Sequence, residues 1–284
     1  MDSARPDGRS TSMLAVLAIM ILLGLGIGFI AALLGIGGGM LMVPCLYYLF
    51  TWSGLETEQP MHFAAGTSLL VMVATSIGSV RAHARRGDVD WGITRRVLPA
   101  IAVGVVAGAV VADLVRTPVL VVVFGVVLLA VAGTMIFGFR QATPRAVRIP
   151  AGRWLNLGGF LIGYKSGMLG VGGGAISVPW LTWMGLPQPR VSGTSSTFTL
   201  PAAVIGTIAF CFTGLLSIGD PDSPWTIGYV FWPALPAAGG ASLLGTRFGA
   251  ACASRVPGRQ LRIIFGLILV AVSISMITSI TRTP

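Results

Sequence analysis

Hydrophobic residues along the chain fall into ten runs that are separated by short polar stretches. A helix needs roughly 20 apolar residues to cross the hydrocarbon core of a bilayer. The runs are Met13–Leu34, Met40–Trp52, Phe63–Val80, Val97–Leu114, Val119–Phe139, Trp154–Leu169, Ala175–Met184, Thr194–Leu216, Ile227–Ala250 and Leu261–Ile280. The pattern predicts an all-α integral membrane protein with eight to ten transmembrane segments, of which two, over 40–52 and 175–184, are short or broken.

The second half of the chain repeats features of the first half. The matched segments are LLGIGGGMLMVP (33–44) with MLGVGGGAISVP (168–179), GTS at 66–68 with GTS at 193–195, and Gly104 with Gly245. The offset between matched residues is constant along the glycine runs, and it is slightly larger near the end of each half. Matches spread along both halves predict a duplication, and internal repeats are typical of transporter folds.

The repeats and the charges predict the domain organisation. The expected parts are a polar N-terminal tail (1–12), a first transmembrane repeat (13–139), a basic cytoplasmic linker (140–153) and a second transmembrane repeat (154–284). Arginines cluster at 81–96 and in the linker, which places both in the cytoplasm. Five crossings per half would make the repeats inverted. If the short segments do not cross, the repeats would be parallel units of four spans, and the charged loops of the second half would face the wrong side of the membrane. The distribution of charge therefore favours inverted repeats.

Composition agrees with a membrane protein and argues against other classes. Hydrophobic residues make up 54% of the 284 residues and charged residues only 10%, where a soluble domain carries about a quarter. The net charge of +10 comes mostly from arginines in loops between apolar runs, so it does not indicate a nucleic-acid partner. The first apolar run is longer than a signal-peptide core and is expected to be retained.

The paired glycine runs are the strongest candidate for a binding site. In a bilayer, non-helical backbone is tolerated only where protein buries it or where it lines a cavity. Each run is expected to break its helix, free backbone N–H groups and expose a positive helix end, as in an anion site. The alternative is that the glycines only allow close helix packing. The glycines expected to bind substrate are Gly37, Gly38, Gly39, Gly172, Gly173 and Gly174.

Hydroxyls and one cation complete the candidate site. The hydroxyl residues are Thr67, Ser68, Thr194, Ser195 and Ser196, each close after a glycine. They either cap the start of a helix or coordinate substrate oxygens. Lys165 is the only lysine and lies deep in the sixth apolar run, where a charge is a functional hypothesis. Its counterpart in the first half is Ile30, so the charge breaks the repeat. No catalytic group, metal site or cofactor is predicted.

The two glycine motifs, GFIAALLGIGGGMLMVP and GYKSGMLGVGGGAISVP, resemble the paired motifs of the TauE/SafE family of sulfite exporter-type membrane permeases. The segments HFAAGTSLLVMVATSIGSVRAHARRGDVDW and SGTSSTFTLPAAVIGTIAF resemble the same family, and the resemblance covers about residues 13–280. It implies a permease of the bacterial inner membrane for anionic sulfur compounds such as sulfite, sulfonates or sulfoacetate. Lys165 departs from the small or apolar residue expected at that position.

The sequence therefore predicts a secondary transporter that binds a small anion between its two repeats and lies in the lipid bilayer. The alternatives are a permease or channel for another small anion, such as a carboxylate, and a non-transporting membrane protein, either a scaffold or an intramembrane enzyme. The residues do not distinguish import from export, identify a coupling ion or decide whether the protein forms a homo-oligomer.

Overall fold

The computed structural model is a bundle of α-helices with one small β-hairpin. It describes residues 8–34, 38–53, 58–137, 151–219, 224–252 and 258–280. The helices are α1 (Gly8–Leu34), α2 (Gly39–Ser53), α3 (Pro60–Arg86), α4 (Trp91–Leu114), α5 (Thr117–Phe137), α6 (Gly152–Leu169), α7 (Gly174–Trp183), α8 (Gln188–Ile218), α9 (Gly240–Cys252) and α10 (Gly258–Ile280). The strands β1 (Thr226–Ile227) and β2 (Val230–Phe231) form an antiparallel hairpin, and a π-helix (Leu235–Gly239) leads into α9.

Helix length and composition confirm an all-α, multi-pass membrane protein. Within the described ranges, α1, α3, α4, α5 and α8 are long and apolar enough to cross a bilayer. The described apolar part of α10, Ile263–Ser279, is slightly shorter than these spans. The linker expected at 140–153 lies mostly outside the described residues, while the last five residues of the expected tail 1–12 already belong to α1.

The short helix α7 does not cross the bundle. Helix α6 runs parallel to α4, because Gly163 packs on the backbone of Ile101 and Gly167 packs on the backbone of Val105 one turn later. Helix α7 then turns back along α6, and the ring of its Trp180 covers Gly158 near the start of α6. The pair α6–α7 is therefore a re-entrant hairpin that begins and finishes at the same end of the bundle.

The pair α1–α2 forms the corresponding hairpin from the opposite end. Helix α2 begins at Gly39 beside Met72, in the middle of α3, and its Phe50 reaches Phe63 near the start of α3. Each short helix thus pairs with a long one, and neither pair passes through the bundle. The four-span alternative was right that the short helices do not cross, although its parallel arrangement of the halves is not found. In the first half, α3, α4 and α5 connect the two ends of the bundle. In the second half, α8, the hairpin with the π-helix and α9, and α10 do so. Because three is an odd number, the two halves run in opposite directions. Gly66 packs beside Phe210, and Gly206 beside Leu69, so α3 and α8 are antiparallel.

The contacts between the halves occur in matched pairs. Gly104 of α4 packs on Phe160 of α6, and Gly245 of α9 packs on Leu25 of α1. Gly245 is the sequence counterpart of Gly104, and Phe160 is the counterpart of Leu25 at the offset of the glycine runs. The duplication itself remains a prediction, and reciprocal contacts of this kind are what it would produce.

The ninth apolar run, Ile227–Ala250, was wrongly expected to be a single span. The β-hairpin and the π-helix occupy its first part, and only the remainder belongs to α9. The hairpin turns at Gly228, whose φ of +52° suits glycine, and it inserts Tyr229 between α3 and α8. The apolar run is long because Tyr229, Val230 and Phe231 of this hairpin are buried in protein, although the hairpin is not helical.

Positive charge gathers at one end of the bundle. The exposed arginines of this arginine-rich end are Arg81, Arg85, Arg86, Arg95, Arg96, Arg153, Arg190 and Arg247. At the opposite end, Arg116 is the one arginine whose side chain the structure describes. The positive-inside rule predicts that the arginine-rich end faces the cytoplasm. The hairpin α6–α7 would then enter from the cytoplasmic side, and α1–α2 from the other side.

Candidate anion site

Both glycine runs interrupt a helix, as the sequence predicts. Helix α6 ends before Gly170, whose φ of +68° is left-handed and whose N–H donates to the carbonyl of Ser166. Gly170 also lies directly on the backbone of Ala65 in α3, where a side chain has no space. In the first half the break lies between α1 and α2, and Gly37 falls outside the described residues.

The two breaks meet inside the bundle. A methyl group placed on Gly39 would stand 3.2 Å from the backbone nitrogen of Gly172. Gly39 opens α2 and Gly174 opens α7, so the N-termini of two helices converge at this point. Each N-terminus carries a partial positive charge. Two positive helix ends in a buried place repel each other unless an anion lies near them.

The second glycine run presents backbone N–H groups that have no acceptor in the described part of the chain. Among the described residues, the N–H groups of Val171, Gly172 and Gly173 find no hydrogen-bond acceptor, although all three residues are buried. The carbonyl of Gly173 accepts from Ile176 and Ser177 at the start of α7. A buried N–H without a partner is costly, so this segment is suited to a ligand that supplies acceptors.

Lys165 brings its amino group to the same place. Its side chain is 7% exposed, and Nζ donates to the carbonyl of Gly172 at 3.3 Å. Within the described parts of the chain, no carboxylate lies within ion-pair distance of this ammonium group. A buried cation is strongly disfavoured unless a counter-charge is present. The sequence placed Lys165 deep in the membrane, and the structure places its ammonium group at the glycine run.

Two further residues that the sequence analysis did not select line the meeting point. A methyl group on Gly172 would overlap Met72 Cε and stand 2.8 Å from Thr199 Cγ2. A methyl group on Gly39 would stand 2.6 Å from Met72 Sδ. Met72 and Thr199 each follow the serine of a GTS triplet by four residues, Ser68 and Ser195. That common spacing, one helical turn, was the signal that could have identified them.

The predicted hydroxyl residues separate into two groups. Helices α3 and α8 begin at Pro60 and Gln188, several residues before the GTS triplets, so the capping alternative was wrong. Proline near the first position sets these earlier starts. Thr67 Oγ1 accepts a hydrogen bond from the N–H of Phe231, and Thr194 Oγ1 accepts one from the N–H of Asp90, both at 3.0 Å. These two hydroxyls tie each half to the other.

Two of the three predicted serines also bond to nearby protein groups, and the third faces Met72. The hydroxyls of Ser195 and Ser177 share a hydrogen bond of 2.6 Å, and the hydroxyl of Ser196 donates to the carbonyl of Gly193. Ser68 is fully buried, and its Oγ lies 4.0 Å from Met72 Sδ. Of the predicted hydroxyls, that of Ser68 is therefore directed toward Met72 and, through it, toward the glycine runs.

The remaining predicted glycines take structural positions around the break. Gly38 packs against Ile27 of α1. A methyl group placed on Gly38 would lie 3.0 Å from Ile27 Cγ2. Gly173 lies beside Ile162, and Gly174 is the first residue of α7. The structure thus places Gly39, Gly172, Gly173, Ser68 and Lys165 around one point. The hydroxyl of Thr67 bonds to β2, that of Thr194 to the N-cap residue of α4, that of Ser195 to α7, and that of Ser196 within α8.

Re-entrant, glycine-broken hairpins that meet inside a bundle of spanning helices define a polytopic membrane protein of the transporter class. The comparison with known proteins makes this assignment specific. The family model described as "Sulfite exporter TauE/SafE" matches residues 20–276, and the chain belongs to this family of membrane transporters.

Relatives of similar length carry transporter names. A protein of Haemophilus influenzae named a probable membrane transporter protein is 30% identical over 93% of this chain and 99% of its own length. Proteins with the same description from Methanocaldococcus jannaschii and Bacillus subtilis are each 26% identical, over 93% and 91% of this chain and 96% of their own lengths. No solved structure matches the chain significantly.

Proposed function

We propose that the chain is a secondary transporter for small sulfur-containing anions, such as sulfite, sulfonates or sulfoacetate, and that it binds them where its two glycine-broken hairpins meet. The observation that carries the proposal is the convergence of two helix N-termini at Gly39 and Gly172 beside the buried Lys165 ammonium group. Backbone N–H groups, positive helix ends and a lysine all favour an anion.

Loss of hydration is the main cost of bringing an anion to this depth. The N–H groups of Val171, Gly172 and Gly173, which have no acceptor among the described residues, supply donors in place of water, and Gly174 adds the N-terminus of α7. The Ser68 hydroxyl approaches from α3. An oxyanion presents several acceptor oxygens to these donors at once, which an anion of low hydrogen-bonding capacity does not.

Alternating access follows from the two re-entrant hairpins. One hairpin reaches the site from the arginine-rich end and the other from the opposite end, so relative rocking of the halves would expose the site to one side at a time. In the orientation that the arginines favour, the protein lies in the bacterial inner membrane with α6–α7 on the cytoplasmic side. The rival functions are a channel and a non-transporting scaffold, and both lack a saturable, alternating site.

Thermal unfolding of the purified protein with added anions tests this proposal. Sulfite, thiosulfate, taurine, sulfoacetate, sulfate and small carboxylates are compared at equal concentration. A bound anion present at a hundredfold excess over its Kd stabilises the folded protein by about 2.7 kcal/mol, and we expect sulfur oxyanions to raise the melting temperature. Uptake into proteoliposomes then separates the classes, because transporter flux saturates and channel flux does not.

Lys165→Met provides the decisive variant because it removes the charge and keeps much of the volume. Loss of a charged hydrogen bond of roughly 1.5–3 kcal/mol corresponds to at least a tenfold weaker anion affinity. Arg96→Gln, which removes an exposed arginine at the arginine-rich end, is the matched control and should bind as the wild type does. If no anion stabilises the wild type, or if Lys165→Met binds equally well, the anion site is wrong.

A further inference from the structure

Met72 is the side chain that separates the two glycine runs. Its Cε atom fills the space over Gly172, and its Sδ atom fills the space over Gly39. The side chain is 3% exposed and lies at the middle of α3. The two runs, whose backbones approach closely, therefore have a thioether between them in the place where their helix N-termini converge.

The surroundings of Met72 are unusual for an apolar side chain. Gly172, which Met72 covers, has an N–H without an acceptor among the described residues, and its carbonyl accepts a hydrogen bond from Lys165 Nζ. The Ser68 hydroxyl lies 4.0 Å from the sulfur atom. A thioether is at most a weak acceptor, so it compensates neither the positive charge nor the free N–H groups. The apolar group therefore occupies a place whose neighbours are hydrogen-bond donors.

Methionine is suited to leave such a place. Its side chain is unbranched and adapts to irregular gaps, so it can change rotamer at low cost. The residue at the matched position of the second half, Thr199, is shorter and holds its hydroxyl against the carbonyl of Ser195 at 3.3 Å. Of these two matched residues, Met72 is the one that contacts both glycine runs.

We propose that Met72 is a movable plug that fills the anion position in the empty transporter and must swing aside before the anion binds. This inference rests on the proposed anion site and adds a gating residue to it. The plug would keep water and ions from passing between the hairpins when no substrate is bound. Because only the molecules in which Met72 has moved aside can bind, the apparent affinity of the transporter for the anion is lower than the intrinsic affinity of the open site.

Two substitutions of Met72 with opposite expected effects test the plug. Met72→Ala removes the obstruction, and we expect the Kd for sulfite, measured by titration of the purified protein, to fall about tenfold. Met72→Leu keeps the volume but branches at Cγ and moves as a block, and we expect the Kd to rise several-fold. A purely structural methionine would give the reverse order, since alanine would create a cavity and disturb the site while leucine would be tolerated.

Met61→Ala and Met61→Leu are the matched controls, because Met61 is fully buried on the same helix and lies roughly 16 Å along it from Met72. They should change stability and leave the Kd for sulfite unchanged. Protein labelled with ¹³C at the methionine methyl groups gives a second measurement. The Met72 signal, assigned by its absence in Met72→Leu, should shift as sulfite is added, while the Met61 signal should not.

The outcomes separate the two proposals. If sulfite raises the melting temperature but the Met72 methyl signal and the Met72→Ala affinity do not change, the plug is wrong and the anion site stands. If sulfite does not stabilise the protein, titration of the same samples with sulfoacetate and thiosulfate decides. If none of these anions binds, the anion site fails and the plug fails with it.

Discussion

The two re-entrant hairpins share a scaffold but differ in what they present at their meeting point. In each half the long member of the hairpin packs through glycine on a helix of the other half: Gly28 of α1 on Ser242 of α9, and Gly163 of α6 on Ile101 of α4. The scaffold contacts thus match across the halves. They are made by backbone atoms, which explains why glycine recurs in both halves at these positions.

The side chains that face the meeting point do not match. The second half supplies Lys165 and Thr199, and the first half has Ile30 and Met72 at the corresponding positions. The Ser177 hydroxyl of α7 pairs with Ser195, and its counterpart in α2 is a methionine. One hairpin is therefore polar and positively charged, while the other is apolar. The backbone frame is thus repeated in both halves, while Lys165 and the paired hydroxyls of Ser177 and Ser195 are found in the second half alone among the described residues.

Substitution of the scaffold glycines should produce the largest effects, and equal ones in the two halves. A methyl group at Gly28 would overlap the carbonyl of Ser242, and one at Gly163 would overlap the carbonyl of Ile101. Backbone cannot move aside as a side chain can, so we expect Gly28→Ala and Gly163→Ala each to lower the free energy of unfolding by about 3 kcal/mol. Thermal unfolding in detergent measures this loss.

Gly26→Ala is the control for this pair, because Gly26 lies on the same helix as Gly28 and has open space around it. We expect it to stabilise α1 slightly, by roughly 0.5–1 kcal/mol, since alanine is the better helix former. A Gly163→Ala protein that melts as the wild type does while Gly28→Ala is destabilised would show that the halves do not share the scaffold.

Sequence patterns predicted the parts of the structure that depend on helix-breaking and apolar length. The glycine runs 35–39 and 170–174 were expected to interrupt helices, and the described parts of both do so. The re-entrant course of the hairpins was missed, because apolar length indicates whether a segment can cross a bilayer and not where it turns back. Met72 was missed because candidate residues were chosen for polarity, whereas its position between two glycine runs depends on packing between distant helices.

Loss of the reciprocal threonine bonds should have an intermediate effect that differs between the halves. Thr67 receives the N–H of Phe231, which is 1% exposed, whereas Thr194 receives the N–H of Asp90, which is only partly buried. Valine keeps the shape and removes the acceptor. A buried donor left unpaired costs about 1–3 kcal/mol, so we expect Thr67→Val to be more destabilising than Thr194→Val, where water can replace the hydroxyl.

Hydrogen exchange of the two amides, measured together with the melting temperatures, checks this order. Thr207→Val is the control, because among the described residues the Thr207 hydroxyl donates to a carbonyl of its own helix, that of Ala203, and should matter little. If Thr67→Val and Thr194→Val lose equal amounts of stability, the different burial of the two N–H donors does not determine the cost, and this prediction is wrong.

The smallest effect, and the sharpest contrast between the halves, concerns Ser177 and Ser68. Ser177→Ala leaves the buried Ser195 hydroxyl without its 2.6 Å partner, so we expect a loss of about 1 kcal/mol in unfolding free energy and little change in anion affinity. Ser68→Ala removes a hydroxyl whose neighbour is the Met72 sulfur at 4.0 Å, so stability should change by less than about 0.5 kcal/mol while sulfite binds more weakly. Melting temperatures and sulfite titrations of both variants measure the two quantities separately.

Ser177→Ala combined with Ser195→Ala should recover part of the stability, because neither hydroxyl is then left alone. If Ser177→Ala instead weakens sulfite binding and Ser68→Ala does not, the hydroxyl that serves the ligand belongs to the second half, and the first half contributes only apolar surface.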